Sequence, residues 1–341
     1  MAATSVFVSG ATGYIAQHVI LQLIAKGYKV VGTVRSTEKG EDLKKKLKSD
    51  NFTYEIVKEL GTVGAFDEAL KAHPEVTVFL HTASPFHFNI TDPEKDLLIP
   101  AVEGTKNALS AIATYGPQIK KMVVTSSYAA IAHYDVDTVS SNTFTEDSWN
   151  SVTWEKSKGN MFDGYYGSKT FAEKAAWDFV KENKPNFTLS VVNPVYVFGP
   201  QAFASDATGT LNTSAEVISS ILKLKSDDEV PSDSGAFIDV RDAAEAHLVA
   251  FENKDAEGKR LLVSEARFTS QEILDIVNEN FAEYVKGRIP VGVPGSGAEK
   301  IKTLAKIDNS KTRKIIGHDF IGLKKTVVDA IQQILDTNGS I

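Results

Sequence analysis

Through the first two thirds of the chain, short apolar runs alternate with longer stretches whose apolar positions recur at helical spacing. Val6-Phe7-Val8, Lys29–Val34, Tyr54–Val57, Val76–Leu80, Met122–Thr125 and Leu189–Val192 predict strands. Between them, Ile15, Val19 and Leu23, and the segment Asp96–Ile112, carry the period of a helix. Strand–helix alternation of this kind predicts an α/β fold, a doubly wound parallel sheet with helices on both faces. The near-continuous apolar strands suit a sheet buried on both sides. Past about Pro200 the rhythm loosens at Gly209, Pro231 and Gly235, and helical patterns return at Arg241–Phe251, Ser270–Asn280 and Leu323–Leu335. Pro290–Gly297 reads as a loop. The expected layout is a nucleotide-type domain over residues 1–200, rejoined by a segment at about 236–265. Residues 201–341 then form mainly a smaller C-terminal substrate-binding region.

Composition narrows the class. The 341 residues are 42 % hydrophobic and 24 % charged, which excludes a disordered or collagen-like chain. Lys and Arg number 37 against 44 Asp and Glu, a net charge of −7. That balance speaks against nucleic acid or an anionic membrane surface as partner. With no cysteine, disulfides, thiolate metal sites and cysteine nucleophiles are excluded. The seven histidines show no zinc spacing, and no metal is expected. Ser5–Ser9 meets Gly10 too early for a signal-peptide core, and no run approaches the roughly 18 apolar residues of a membrane span. These features lead us to expect a soluble, cytoplasmic protein.

Directly after the first strand comes Ser9-Gly10-Ala11-Thr12-Gly13-Tyr14-Ile15-Ala16, opening a helical pattern. Gly10 permits a tight turn, Gly13 lets the backbone approach a pyrophosphate, and Ala16 lets the helix pack near the strand. The helix N-terminus then offers free N–H groups to a phosphate. An ordinary strand–turn–helix corner has the same spacing, but its place in an alternating chain favours a Rossmann-type dinucleotide site. The second strand ends at Val34-Arg35-Ser36, with Lys39 close behind. A carboxylate here would accept from a ribose 2′-hydroxyl, whereas a guanidinium binds a 2′-phosphate. Arg35 therefore points to NADP(H), although Lys44, Lys45 and Lys46 also allow a merely solvated basic turn.

Tyr165 and Lys169 are four residues apart and share a helical face, so their side chains can converge. An ammonium beside a phenol favours the phenolate, and such a phenol can donate a proton to a reduced carbonyl. Tyr166 lies off that face. Thr125, Ser126 and Ser127 end a strand where ligands of open parallel sheets bind. A serine there could stabilise charge developing on a carbonyl oxygen, while Thr125 and Ser126 are expected to satisfy backbone groups.

In this order, the glycine loop, Ser127, Tyr165 and Lys169 resemble the extended short-chain dehydrogenase/reductases. His81-Thr82-Ala83-Ser84-Pro85, Asn193–Pro200 and Phe237–Asp242 add to the likeness. Within that family the sequence is similar to NADPH-dependent methylglyoxal/3-methylbutanal (carbonyl) reductases of yeast and to plant dihydroflavonol reductase. The resemblance implies carbonyl reduction by NADPH, with Tyr165 as proton donor. It makes Lys169 the group that tunes Tyr165 and bonds the nicotinamide ribose, and Ser127 the one that orients the carbonyl. Gly10, Thr12, Gly13, Tyr14 and Ile15 would line the cofactor phosphates, with Arg35 and Lys39 at the 2′-phosphate. Thr82, Ala83 and Ser84 would pass the cofactor's middle, and Pro194 and Val197 the nicotinamide amide.

Two positions depart from the family pattern. Where many members place an aspartate on adenine, this chain has Glu59-Leu60, and where many place a catalytic asparagine it has Pro100. Phe86, Tyr128, Phe162 and Tyr196 are candidates to line a substrate pocket, as are Phe88, Phe198 and Phe203, with core packing the alternative for each. Asp239 and Asp242 are expected to cap the helix that begins near Val240. The other functions considered are a sugar-nucleotide epimerase or dehydratase on the same scaffold and an NADP-binding sensor without turnover. The expected partner is a small carbonyl molecule, and the expected state a monomer or homodimer.

Overall fold

The structure, a computed structural model, describes residues 4–84, 90–209 and 211–338. Its strands are β1 (Ser5–Ser9), β2 (Lys29–Val34), β3 (Phe52–Ile56), β4 (Val76–His81), β5 (Lys121–Thr125), β6 (Thr143–Thr145), β7 (Thr188–Pro194), β8 (Tyr196–Phe198), β9 (Ser234–Asp239), β10 (Arg260–Val263), β11 (Ala266–Thr269) and β12 (Lys306–Asp308). Seven of them form one parallel sheet in the order β3-β2-β1-β4-β5-β7-β10. The chain runs outward from β1 to β3 and then returns to β4. That reversal opens a crevice between the carboxyl ends of β1 and β4, where ligands of such sheets bind.

Alternation along each strand builds two cores. Val6, Val8, Leu80 and Val123 face one way, under the helices Tyr14–Ala25 and Val240–Glu252. Phe7, Phe79, Met122 and Val124 face the other, under the helices Ile99–Tyr115 and Met161–Asn183. Successive side chains of a strand point to opposite faces, so a sheet covered on both sides needs apolar residues at every position.

Two small sheets lie outside this frame. In one, β8 pairs parallel with β9 and β9 antiparallel with β11; in the other, β6 pairs with β12. Phe198, Phe237 and Phe268 of the first sheet pack with Ile273, Val277, Val327 and Ile331 into a third core. Phe198 is thus a core residue, stacked 6.1 Å from Phe237, and not a pocket wall. Of the late segment, β10 joins the large sheet beside β7, whereas β9 belongs to the small one.

The six strands read from the sequence, β1–β5 and β7, differ mainly at their edges, whereas β6 and β8–β12 were not read as strands. β3 begins at Phe52, because its ladder with β2 takes in Phe52 and Thr53. The helix carrying Tyr165 starts at Met161, capped by the Asn160 side chain on Asp163 N. No helix among the described residues is long and apolar enough to cross a membrane.

Candidate active site

At the end of β1, Gly10 adopts φ +69°, and a Cβ on it would stand 3.0 Å from Ala83. Only glycine takes that left-handed turn without strain. Its N–H donates to Thr33 Oγ1, which holds the loop against β2. Gly13 is the N-cap of the helix Tyr14–Ala25 and supplies no capping side chain, so the first N–H groups of the helix are open to an anion. The Tyr14 phenol donates to Gly199 O at 2.8 Å, so Tyr14 can offer a phosphate only its backbone. Burial, with Asp239 adding to it, pushes that phenol well above its ordinary pKa.

Along the middle of the crevice, buried Ser9 holds His81 Nδ1 at 2.9 Å and accepts from Ala83 N, while Thr82 Oγ1 donates to Ser9 O. Ser84 is half-buried beside them. Burial brings His81 down to about 4, with the Lys169 charge adding to it, so the ring is neutral. Arg35 is exposed just past the end of β2 and Lys39 in the first turn of the helix Thr37–Leu47, and the Arg35 guanidinium has no side-chain or backbone partner among the described residues. Glu59 is exposed, and Leu60 is held through its carbonyl by Asn107 Nδ2 at 2.8 Å. Pro100 is the second residue of its helix and brings no side-chain donor.

Tyr165, Lys169 and Ser127 do converge. The Tyr165 hydroxyl lies 3.4 Å from Ser127 Oγ, and Lys169 Nζ stands 5.9 Å from the centre of the Tyr165 ring. Ser127 is 9 % exposed, and its Oγ also accepts from Ala129 N at 3.1 Å. Burial lowers the Lys169 ammonium to about 8. The same cause raises Tyr165, against a smaller lowering by its bond to Ser127. This corrects the expectation of an acidified phenol: in the chain itself desolvation outweighs the lowering by Ser127, and the phenol is raised.

Thr125 and Ser126 turn out to serve buried side chains instead of backbone groups. Thr125 Oγ1 bonds His247 Nε2 at 2.7 Å, and Ser126 Oγ donates to Glu173 at 2.6 Å. Ser127 alone of the three faces Tyr165. Pro194 and Val197 are buried on either side of the turn between β7 and β8. Asp239 caps its helix by accepting from Arg241 N, as the sequence suggests, and Asp242 accepts from Ile321 N.

The pocket candidates part company. Tyr196 is 44 % exposed beside Phe268 and close enough to Tyr165 for their phenolates to repel. Tyr128 is buried, its hydroxyl committed to Asp137 at 2.6 Å. Phe162 is 66 % exposed, and Phe203 packs on the first core. Phe86 and Phe88 fall outside the described residues.

Sequence reasoning missed Glu173, Asn193 and Arg260, which lie behind Ser127. Glu173 left a local trace, one helical turn beyond Lys169, and Asn193 opens the Asn193–Pro200 motif, though neither was given a role there.

The family model described as "NAD dependent epimerase/dehydratase family" matches residues 6–263. The chain is 48 % identical to the NADPH-dependent methylglyoxal reductase of Saccharomyces cerevisiae, over 99 % of this chain and 100 % of the relative. It is also similar to the crystal structure of yeast methylglyoxal/isovaleraldehyde reductase complexed with NADPH, with TM-score 0.96, 48 % identity and coverage of 99 % and 100 %. A structure of Gre2 with NADPH from Candida albicans matches with TM-score 0.95 and 51 % identity, covering 98 % and 99 %.

Proposed function

The chain belongs to the NAD dependent epimerase/dehydratase family, and from that premise we propose that it is an NADPH-dependent carbonyl reductase. It reduces aldehydes and ketones, among them 2-oxoaldehydes, branched aldehydes and keto esters, to alcohols. The observation that carries this reading is the Tyr165 hydroxyl 3.4 Å from Ser127 Oγ, with Lys169 alongside. The glycine loop suits a dinucleotide: its left-handed Gly10, pressed against Ala83, leaves no room for a side chain, and its uncapped helix start is open to phosphate. Gly10, Thr12, Gly13, Tyr14 and Ile15 hold the phosphates, and Arg35 and Lys39 the 2′-phosphate. Glu59, Leu60 and Thr82–Ser84 lie along the rest of the cofactor, and Pro194 and Val197 at its nicotinamide end.

When bound, the cofactor supplies a hydride. Ser127 Oγ already accepts from Ala129 N, so its own proton is available to a carbonyl oxygen and polarises it. Tyr165, neutral by burial, gives its proton to that oxygen as charge develops there. The Lys169 ammonium then offsets the charge left on the phenolate and bonds ribose hydroxyls.

On this reading residues 1–200 with about 236–265 hold the cofactor, and most of 201–341 shapes the substrate site. Tyr196 is the described aromatic best placed to meet substrate, with Tyr128 and Phe162 as further walls. The protein is cytoplasmic, a monomer or homodimer, and needs no nucleic acid, membrane or metal. Epimerases and dehydratases return the hydride to a retained NAD, and Arg35 in place of an acid favours an exchanging NADPH. The test is the loss of reduced-nicotinamide absorbance with methylglyoxal or 3-methylbutanal. Turnover with NADPH is expected. Cofactor binding without turnover across a broad carbonyl panel would instead leave a sensor.

A further inference from the structure

Behind the tyrosine and serine lies a buried charge cluster that no step above uses. Tyr165, Lys169 and Glu173 follow one another at four-residue intervals along the helix Met161–Asn183. The Glu173 carboxylate, on a residue 1 % exposed, accepts from Ser126 Oγ at 2.6 Å, Asn193 Nδ2 at 2.7 Å, Arg260 Nε at 2.6 Å and Trp177 Nε1 at 3.2 Å. Arg260, on β10, is itself enclosed: it stacks 3.9 Å over the Trp149 ring and donates to the carbonyls of Ala130, Glu146 and Ser148.

Stability alone does not explain such a pair, because well-packed apolar side chains of similar volume often serve as well. The ends of its arms are more telling. Ser126 and Ala130, which bracket Ser127, are bonded to Glu173 and Arg260 respectively. Asn193 Nδ2 donates at once to Glu173 and to Ser127 O, the latter at 3.1 Å. Its amide cannot turn over, since both neighbours are acceptors, and its buried Oδ1 has no hydrogen-bond partner among the described residues. The Tyr165–Ser127 distance of 3.4 Å also exceeds the ordinary O–H···O range of about 2.5–3.0 Å. Ser127 sits within a segment held at both ends, at Ser126 by Glu173 and at Ala130 by Arg260.

We propose that Glu173, neutralised by Arg260, is the positioning residue that sets Ser127 against Tyr165. The proposal rests on the reductase reading above. Glu173→Gln, Ser127→Ala and the double variant, each as full-length protein, are compared with NADPH and methylglyoxal. Glu173→Gln should lower kcat by about 10- to 100-fold. It should leave NADPH affinity, read by fluorescence titration, within about twofold, and cost less than about threefold more in the Ser127→Ala background. Amide exchange over residues 126–130 should quicken. Because an unpaired Arg260 endangers folding, Ser126→Ala and the paired Glu173→Leu/Arg260→Met variant repeat the cycle, and each should lose kcat by the same non-additive pattern. A folded variant with unchanged kcat, or a loss that multiplies equally in both backgrounds, overturns the proposal. Failure of the wild-type chain to oxidise NADPH with any carbonyl is a separate result, and it overturns the reductase reading instead.

Discussion

On the proposed reading two residues one helical turn apart, Tyr165 and Lys169, carry the chemistry, and burial shapes both. Tyr165 is raised and Lys169 lowered by the same loss of solvent, which leaves the phenol as a neutral donor. Tyr165→Phe removes the hydroxyl and keeps the ring. Its kcat should fall about 100- to 10,000-fold with NADPH affinity little changed; near-normal rates would clear Tyr165 of the role. Lys169, at about 8, is charged below that pH and loses its charge as pH rises through it. The kcat/KM for NADPH reports the free enzyme and should therefore decline above about pH 8. A profile flat from about pH 7 to 9 would separate this lysine from cofactor binding. The pair was legible in the sequence because helical spacing is local. The contacts joining Glu173, Asn193 and Arg260 were not, since they run between separate elements.

Between elements, short hydrogen bonds join what the chain keeps apart. Tyr14 and His18, one turn apart on the phosphate-loop helix, hold the carbonyls of Gly199 and Pro200 at 2.8 and 3.1 Å. The exit of β8 is thereby tied to the helix that follows the glycine loop. Asp242 similarly anchors the turn at Ile321 to the helix Val240–Glu252, at a cost. Burial, with Asp239 and Glu245 adding to it, raises its carboxyl from 3.8 to about 6. The folded state thus binds the proton more tightly than the unfolded, and stability falls as pH rises through the window from about 4 to 6. Asp242→Asn keeps an oxygen for Ile321 N without the charge. Thermal unfolding should show it more stable than wild type at about pH 8, by about 1–2 kcal/mol, and no more stable near pH 4. Equal shifts at both pH values would mean that charge is not the cause.

For the molecule as a whole, the large sheet is finished late. β10 closes the edge beside β7, and the helix Val240–Glu252 covers the face that carries Val6, Val8 and Val123. A chain cut after residue 200 lacks both, and so exposes a broad apolar sheet face. It should fail to give a cooperative thermal transition or native near-ultraviolet dichroism. A sharp two-state transition in that fragment would show that the late segments are dispensable. Lys46, ion-paired to Asp206 at 2.6 Å, is a further tie between the early helix Thr37–Leu47 and the later chain.

Read alone, the sequence determined the strand–helix alternation, the glycine turn, the Tyr165–Lys169 register and the cap at Asp239. Each depends on backbone preference or side-chain spacing within a few residues, so its physics is complete in one short segment. Only the tertiary structure decided that Ser126 spends its hydroxyl on Glu173, that Tyr14 spends its phenol on Gly199, that Phe198 is core, and that the phenol of Tyr165 is raised. Those outcomes turn on which distant groups share a buried volume and how much water they lose. Both quantities exist only once the chain has closed on itself.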